Sequence, residues 1–382
     1  MKATARKTRA GGADDSWEAR LVRRLGIAPW LAGVVVALGV AATYFGPGYG
    51  FGLLPIRLET QLSSLPLDPY SWAAIVTSLL AGFTVFALPY AQNRHQADIA
   101  GLAPVVPSLD AAGLQQLYLQ RVGVGRRLRL GVALAGWFGG ILVAAFSVPG
   151  ALALLTGYRG LWDTPLPPPA YVAAAWFLIV VPVLVASLAR ASYQMVSGGR
   201  QVLRDLEQRI TVGPLDADLL RPLASTGLHT AFVWMVGVAI GLLFLVYVDI
   251  FPFAIVVLLV VIASFGAIAA VAPSMTGRRI LRRAKGAALA DVRTAIARAH
   301  ARCLAPCDPA PASSSRAPAR PADDQELIRL GALLAYEQRL ETARELPIDT
   351  PTVARFALYL AIPLGSWLGA AFVERWLDTA LG

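Results

Sequence analysis

Apolar positions run almost unbroken from His229 to Pro273, where Asp249 is the one formally charged side chain and stands beside Pro252. A hydrocarbon core about 30 Å thick takes roughly 20 helical residues to cross. The stretch is too long for one crossing and suits two. It predicts a tight hairpin of Thr230–Val248 and Phe251–Ala272, with Asp249 at its tip. In lipid the backbone must satisfy its own hydrogen bonds, so both arms are expected to be helices. Five further runs carry no charge: Pro29–Phe45, Trp72–Pro89, Leu130–Leu155, Tyr171–Ala189 and Phe356–Val373. Trp30, Tyr44, Trp72, Tyr90, Tyr171 and Trp376 at their ends suit the headgroup belts of a bilayer.

Polar positions test this pattern independently. If the N-terminus lies inside and the loops alternate, only Arg57, Arg159 and Arg375 of the 34 Lys and Arg residues fall outside. Basic residues prefer the cytoplasmic face. The expected fold is therefore an all-α integral membrane protein: a bundle of about seven transmembrane helices, three hairpins plus one C-terminal span. The C-terminus lies outside, and the location is the cytoplasmic (inner or plasma) membrane. The expected divisions are a cytoplasmic basic tail (1–28), a six-span membrane domain (29–273), a cytoplasmic helical hairpin (274–350) and a seventh span with a short external C-terminus (351–382). Arg23-Arg24 before the first run can mark export, but reads here as orienting an uncleaved anchor.

The first six runs form hairpins that start near residues 29, 130 and 229, a weak repeat of about 100 residues. Pro107-Ser108-Leu109-Asp110, Pro214-Leu215-Asp216 and Pro347-Ile348-Asp349 each precede an outward-going run, and each Asp is expected to cap a helix N-terminus. After the sixth run, Leu281, Ala284, Ala288, Val292, Ile296 and Ala299 recur at helical spacing. The Pro/Ala/Ser-rich segment 304–322 reads as a tip, and Asp323–Leu346 as a returning helix with Leu327, Leu330, Leu334 and Leu340 broadly on one side. The outgoing helix is basic and the returning one acidic, so they are expected to pair antiparallel. An exposed ion pair contributes only about 0–1 kcal/mol, which leaves apolar contact to supply most of the hold.

Composition agrees with a lipid environment: 56% of residues are hydrophobic and 15% charged, and the mean hydropathy is +0.58. A soluble chain carries about 25% charged residues. The net charge of +10 is explained by loops beside spans, and no nucleic-acid partner is expected. Arg278, Arg279, Arg282, Arg283 and Lys285 cluster after the sixth run, where they set orientation and are candidates to meet anionic lipid headgroups.

Candidate chemistry is sparse. His300, Cys303 and Cys307 are weak metal candidates with an incomplete ligand set. The three histidines, His95, His229 and His300, are scattered in sequence, which fits neither a haem pair nor a zinc protease. No ionisable residue lies at the centre of a run, and no phosphate-binding glycine loop or nucleophile elbow occurs. The chain is expected to be no enzyme and to hold no cofactor. Gly136 and Gly140, Gly237 and Gly241, and Gly365 and Gly369 are spaced one turn apart, as in close helix contacts or a narrow pore. Pro363 and Ser366 lie beside the last pair, and Pro182 and Pro363 each remove a backbone donor within a run. The expected role is a non-catalytic component that couples the bundle to a cytoplasmic partner or to a second copy of itself. The alternative is a passive channel or facilitator for a small solute or ion.

Overall fold

The computed structural model describes residues 17–50, 69–123, 126–148, 150–156, 168–244, 252–304 and 322–343, with residues 354, 357 and 358. Among them every regular element is helical. The first is α1 (Trp17–Leu25), closed by Gly26 at φ 62°, whose N–H bonds the Val22 carbonyl. A positive φ is cheap only without a Cβ. Thus part of the stretch read as a polar tail is an ordered helix. Its Glu18 is 1% exposed and pairs with Arg190 of a later helix.

Next come α2 (Pro29–Gly50), α3 (Pro69–Ala100), α4 (Ala111–Gly123), α5 (Arg126–Ser147), α6 (Ala151–Thr156) and α7 (Pro168–Tyr193). They are followed by α8 (Gly199–Arg209), α9 (Arg221–Leu242), α10 (Pro252–Leu304) and α11 (Ala322–Thr342). Helical stretches long and apolar enough to cross a membrane cover Pro29–Gly50, Pro69–Ala100, Arg127–Ser147, Tyr171–Arg209 and Ala217–Leu242. The sixth predicted run forms the first half of α10. The seventh lies outside the described residues, apart from Ala357 and Leu358.

Consecutive apolar helices pack in pairs: α2 with α3, α5 with α7, and α9 with α10. Glycine brings each pair together. A Cβ on Gly82 would strike the Gly33 carbonyl and Ala37 across α2–α3. Gly136 and Gly140 of α5 lie against Ala186, Ala189 and Pro182 of α7. Gly266 of α10 receives the Trp234 ring of α9. The opposite face of α5 is bare: Leu130, Leu134, Phe138, Leu142 and Phe146 recur every four residues, all exposed, Phe146 by 73%. An apolar stripe of this length in water would be an aggregation site; against acyl chains it costs nothing.

Several expected boundaries move. The third run was read through Leu155, but α5 stops at Ser147 and Gly150, at φ 85°, turns the chain into α6. The fifth run starts earlier, because Pro222 sits in the first turn of α9, where no donor is needed. Asp110 caps as expected, accepting from the Gly113 N–H at 2.7 Å. Asp216 makes no side-chain cap bond, and Asp349 lies outside the described residues. Tyr44 and Trp72 make contacts within the bundle. Tyr44 is buried against Trp176 and Phe177, and the Trp72 indole donates to the Leu243 carbonyl at the end of α9 (2.7 Å). Helix ends leave carbonyls unpaired, and an indole N–H nearby satisfies one.

A second core, not anticipated, lies at the end of the bundle predicted to face inward. Ile99, Leu102, Leu114, Tyr118, Val202, Leu206, Leu220 and Leu281 pack there, from α3, α4, α8, a short turn before α9, and α10. The Thr211 N–H bonds the Val105 carbonyl, joining two connections distant in sequence. Arg121–Asp205 (2.6 Å) and Arg283–Glu207 (2.8 Å) clamp α8 at the rim.

Replacing Gly82 by Leu should cost about 1–3 kcal/mol through overpacking and lower the melting temperature of the purified protein in detergent. Gly39→Leu is the control, since a Cβ there meets nothing within 4 Å. Equal melting of the two variants would contradict the role assigned to the α2–α3 contact.

Candidate functional site

Helical spacing builds one polar cluster in an otherwise apolar bundle. His95 and Asp98 stand three residues apart on α3; Thr226, His229 and Thr230 share one face of α9. The packing of α3 on α9 joins the two sets. His229 Nδ1 is 2.9 Å from Asp98 Oδ2, and His95 Nε2 is 3.0 Å from the Thr230 hydroxyl. Thr226 and Thr230 also donate back to the Pro222 and Thr226 carbonyls, so their hydroxyls are accommodated within the helix. Tyr118 of α4 lies with its ring edge-on to His95 and its hydroxyl 3.5 Å from Nδ1. His95, Tyr118 and Thr230 are buried; Asp98 and His229 are partly so.

A small pocket of about 30 Å³ opens on this cluster. Its far wall is a single turn of wider π-helix, Gln194–Gly198, which joins α7 to α8 and contributes Met195 and Val196; Arg200 follows from α8. Such turns recur at functional sites, because they insert a residue and re-aim side chains. Among the described residues the Gln194 amide oxygen is buried without a hydrogen-bond partner.

Beyond Met195 lies a larger chamber of about 120 Å³, enclosed by α3, α5, α7 and α9. Its lining is apolar, with Phe83, Phe177, Leu184 and Trp234 the bulkiest parts. Thr84 and Ser192 also line it, but their hydroxyls donate to the Ala81 and Leu188 carbonyls of their own helices. The Trp234 indole N–H is buried and finds no acceptor among the described residues.

Of the residues singled out from the sequence, Gly136 and Gly140 lie in the α5–α7 contact. Gly237 abuts Phe83, and Gly237 and Gly241 both line the chamber. Pro363, Gly365, Ser366 and Gly369 lie outside the described residues. Arg278, Arg279, Arg282 and Arg283 are exposed on α10. Lys285 donates to the Glu341 and Ala343 carbonyls, where its charge also suits the C-terminal end of α11. His300 is exposed; Cys303 ends α10, and Cys307 is outside the described residues. Among the described residues no three His, Cys, Asp or Glu side chains converge as metal ligands. The reading of scattered histidines is corrected for two of them. His95 and His229 belong to one cluster, which pairwise spacing within each helix hinted at but only helix packing assembles.

Comparison with known protein families, curated proteins and solved structures returns no match. What this protein does therefore rests on its own geometry, which defines a helical protein with several helices apolar enough to cross a membrane.

His229→Leu would leave the part-buried Asp98 carboxylate without its ring partner and should cost about 1–3 kcal/mol. Combining it with Asp98→Asn should cost less than the sum of the two single changes, measured as melting in detergent. Strict additivity would mean that the two groups do not interact.

Proposed function

We propose that the chain is a non-catalytic, seven-span protein of the cytoplasmic (inner or plasma) membrane, and that the α10–α11 arm carries its interaction with a second copy or with a cytoplasmic protein. The observation that carries this reading is the apolar surface of α11 that no described residue covers. Leu327, Ile328 and Leu334 are exposed, Ile328 by 71%, although they stand on a helix too polar to face acyl chains.

The arm itself is built to be held out. The outgoing face Leu281, Ala284, Ala288, Val292, Ile296 and Ala299 is covered along its length. Arg293 pairs with Glu337 (2.7 Å) and Glu341 (3.0 Å), which fixes an antiparallel register. The hydrogen bond to Glu337, and then its charge, raise the Arg293 guanidinium above its ordinary pKa. Of the four leucines expected on the seam from the α11 side, only Leu340 is buried. Leu327 and Leu334 point away, so the apolar surface of α11 is divided between the arm and whatever it meets.

The facilitator reading has less support. The chamber is lined mainly by apolar groups, and the Thr84 and Ser192 hydroxyls are already bonded to their own helices, so it offers a polar solute little replacement for its hydration shell. The polar cluster suits a local structural or binding role.

Two measurements test the proposal. In a chain with Cys303 and Cys307 replaced by Ser, single cysteines at Thr60 and Gly160 should label from outside intact cells, and those at Gln115 and Ala310 should not. Reaction at Gln115 or Ala310 as ready as at Thr60 would overturn the topology. Changing Leu327, Ile328 and Leu334 together to Asp should abolish crosslinked complexes in native membranes while the spans still insert. Complexes unchanged by this variant would remove the interaction role from the arm.

A further inference from the structure

The chamber and the polar pocket adjoin at Met195, which lines both. We infer that together they bind a single-chain anionic amphiphile, with its acyl chain in the chamber and its acidic head at Arg200. This goes beyond the interaction role proposed above and does not depend on it.

The dimensions fit one chain. Along α3 the chamber reaches from Ala73 to Ala87, about 21 Å at 1.5 Å per residue. One leaflet of hydrocarbon is about 15 Å deep, half of a core of about 30 Å. An acyl chain entering between the helices therefore finds a slot long enough to hold it, walled mostly by apolar side chains. Water gains nothing there, since an apolar cavity stays dry.

The head end has the matching chemistry. Arg200 is exposed at the mouth of the polar pocket and makes no ion pair among the described residues. An arginine offers a planar fork of donors suited to a carboxylate or a phosphate. Tyr118 and His95 line the same pocket and add hydrogen-bonding groups. The wider turn at Gln194–Gly198 is the hinge of the design: it carries Met195 to the junction and starts the helix that bears Arg200.

The test uses the purified full-length protein in phosphatidylcholine nanodiscs, titrated with the fluorescent fatty acid cis-parinaric acid against empty nanodiscs. Saturable binding above the empty-disc signal is expected, with the methyl ester binding more weakly. Arg200→Glu should weaken the acid about fivefold or more, the effect of one basic residue near a surface. Gly241→Leu, which fills the chamber, should abolish binding while preserving the melting temperature. Displacement by lysophosphatidylglycerol but not by palmitate would identify a phosphate head, and the reverse a carboxylate; both support the site. Binding indistinguishable from empty nanodiscs overturns the inference, as does wild-type affinity in a folded Gly241→Leu variant. If Gly241→Leu fails to fold, unchanged affinity in Arg200→Glu overturns it alone.

Discussion

Between helices already immersed in hydrocarbon, apolar contact brings no hydrophobic gain, so cohesion has to come from close van der Waals approach. That constraint governs the bundle. Gly33 and Gly82 bring α2 and α3 into backbone contact; Gly136 and Gly140 seat α5 on Ala186 and Pro182; Gly266 accepts the face of Trp234. Each pair is adjacent in the chain, so the close contacts form between neighbours with little loop entropy to overcome. The faces left over, such as the Leu130-to-Phe146 stripe, need no partner in lipid. The larger space between pairs is then not fully closed, and the chamber between α3, α5, α7 and α9 is what remains.

Beyond the apolar stretches the packing is of another kind. The core around Leu102, Leu114, Leu206 and Leu281 is assembled from amphipathic pieces and connected by ion pairs at its rim. It fixes the ends of α3, α8, α9 and α10 relative to one another, and the polar cluster sits directly above it. His95 and His229 are tolerated because each finds a polar partner, the Thr230 hydroxyl for His95 and the Asp98 carboxylate for His229. Buried polar groups are costly only when their partners are missing.

What was legible in the sequence was whatever repeats locally. Charge-free runs marked the helices, and the spacing from Leu281 to Ala299 marked the covered face of α10. Gly136 and Gly140 advertised a close contact, and Asp110 a helix start. The polar cluster was not legible, because Asp98 and His229 meet across 131 positions and both lie outside the predicted spans. Threonines bonded to their own helix blurred the same boundary, hiding that α9 begins at Arg221. The inner core was missed for a different reason. Val202, Leu203 and Leu206 do show a helical face, but a short one, easily overlooked beside runs three times as long.

The wide turn at Gln194–Gly198 has a geometric consequence for how this chain can vary. An α-helix advances about 100° per residue, and an extra residue looped out of the ladder delays everything after it by that amount. The register of α7 against α5 and the register of α8 against the core around Leu206 are therefore offset from each other, although the backbone never breaks helical form between them. The turn acts as a clutch between two packings: residues before it answer to the bundle around the chamber, and those after it to the packing around Leu206. A chain that lost one residue here would keep its helix and lose its alignment.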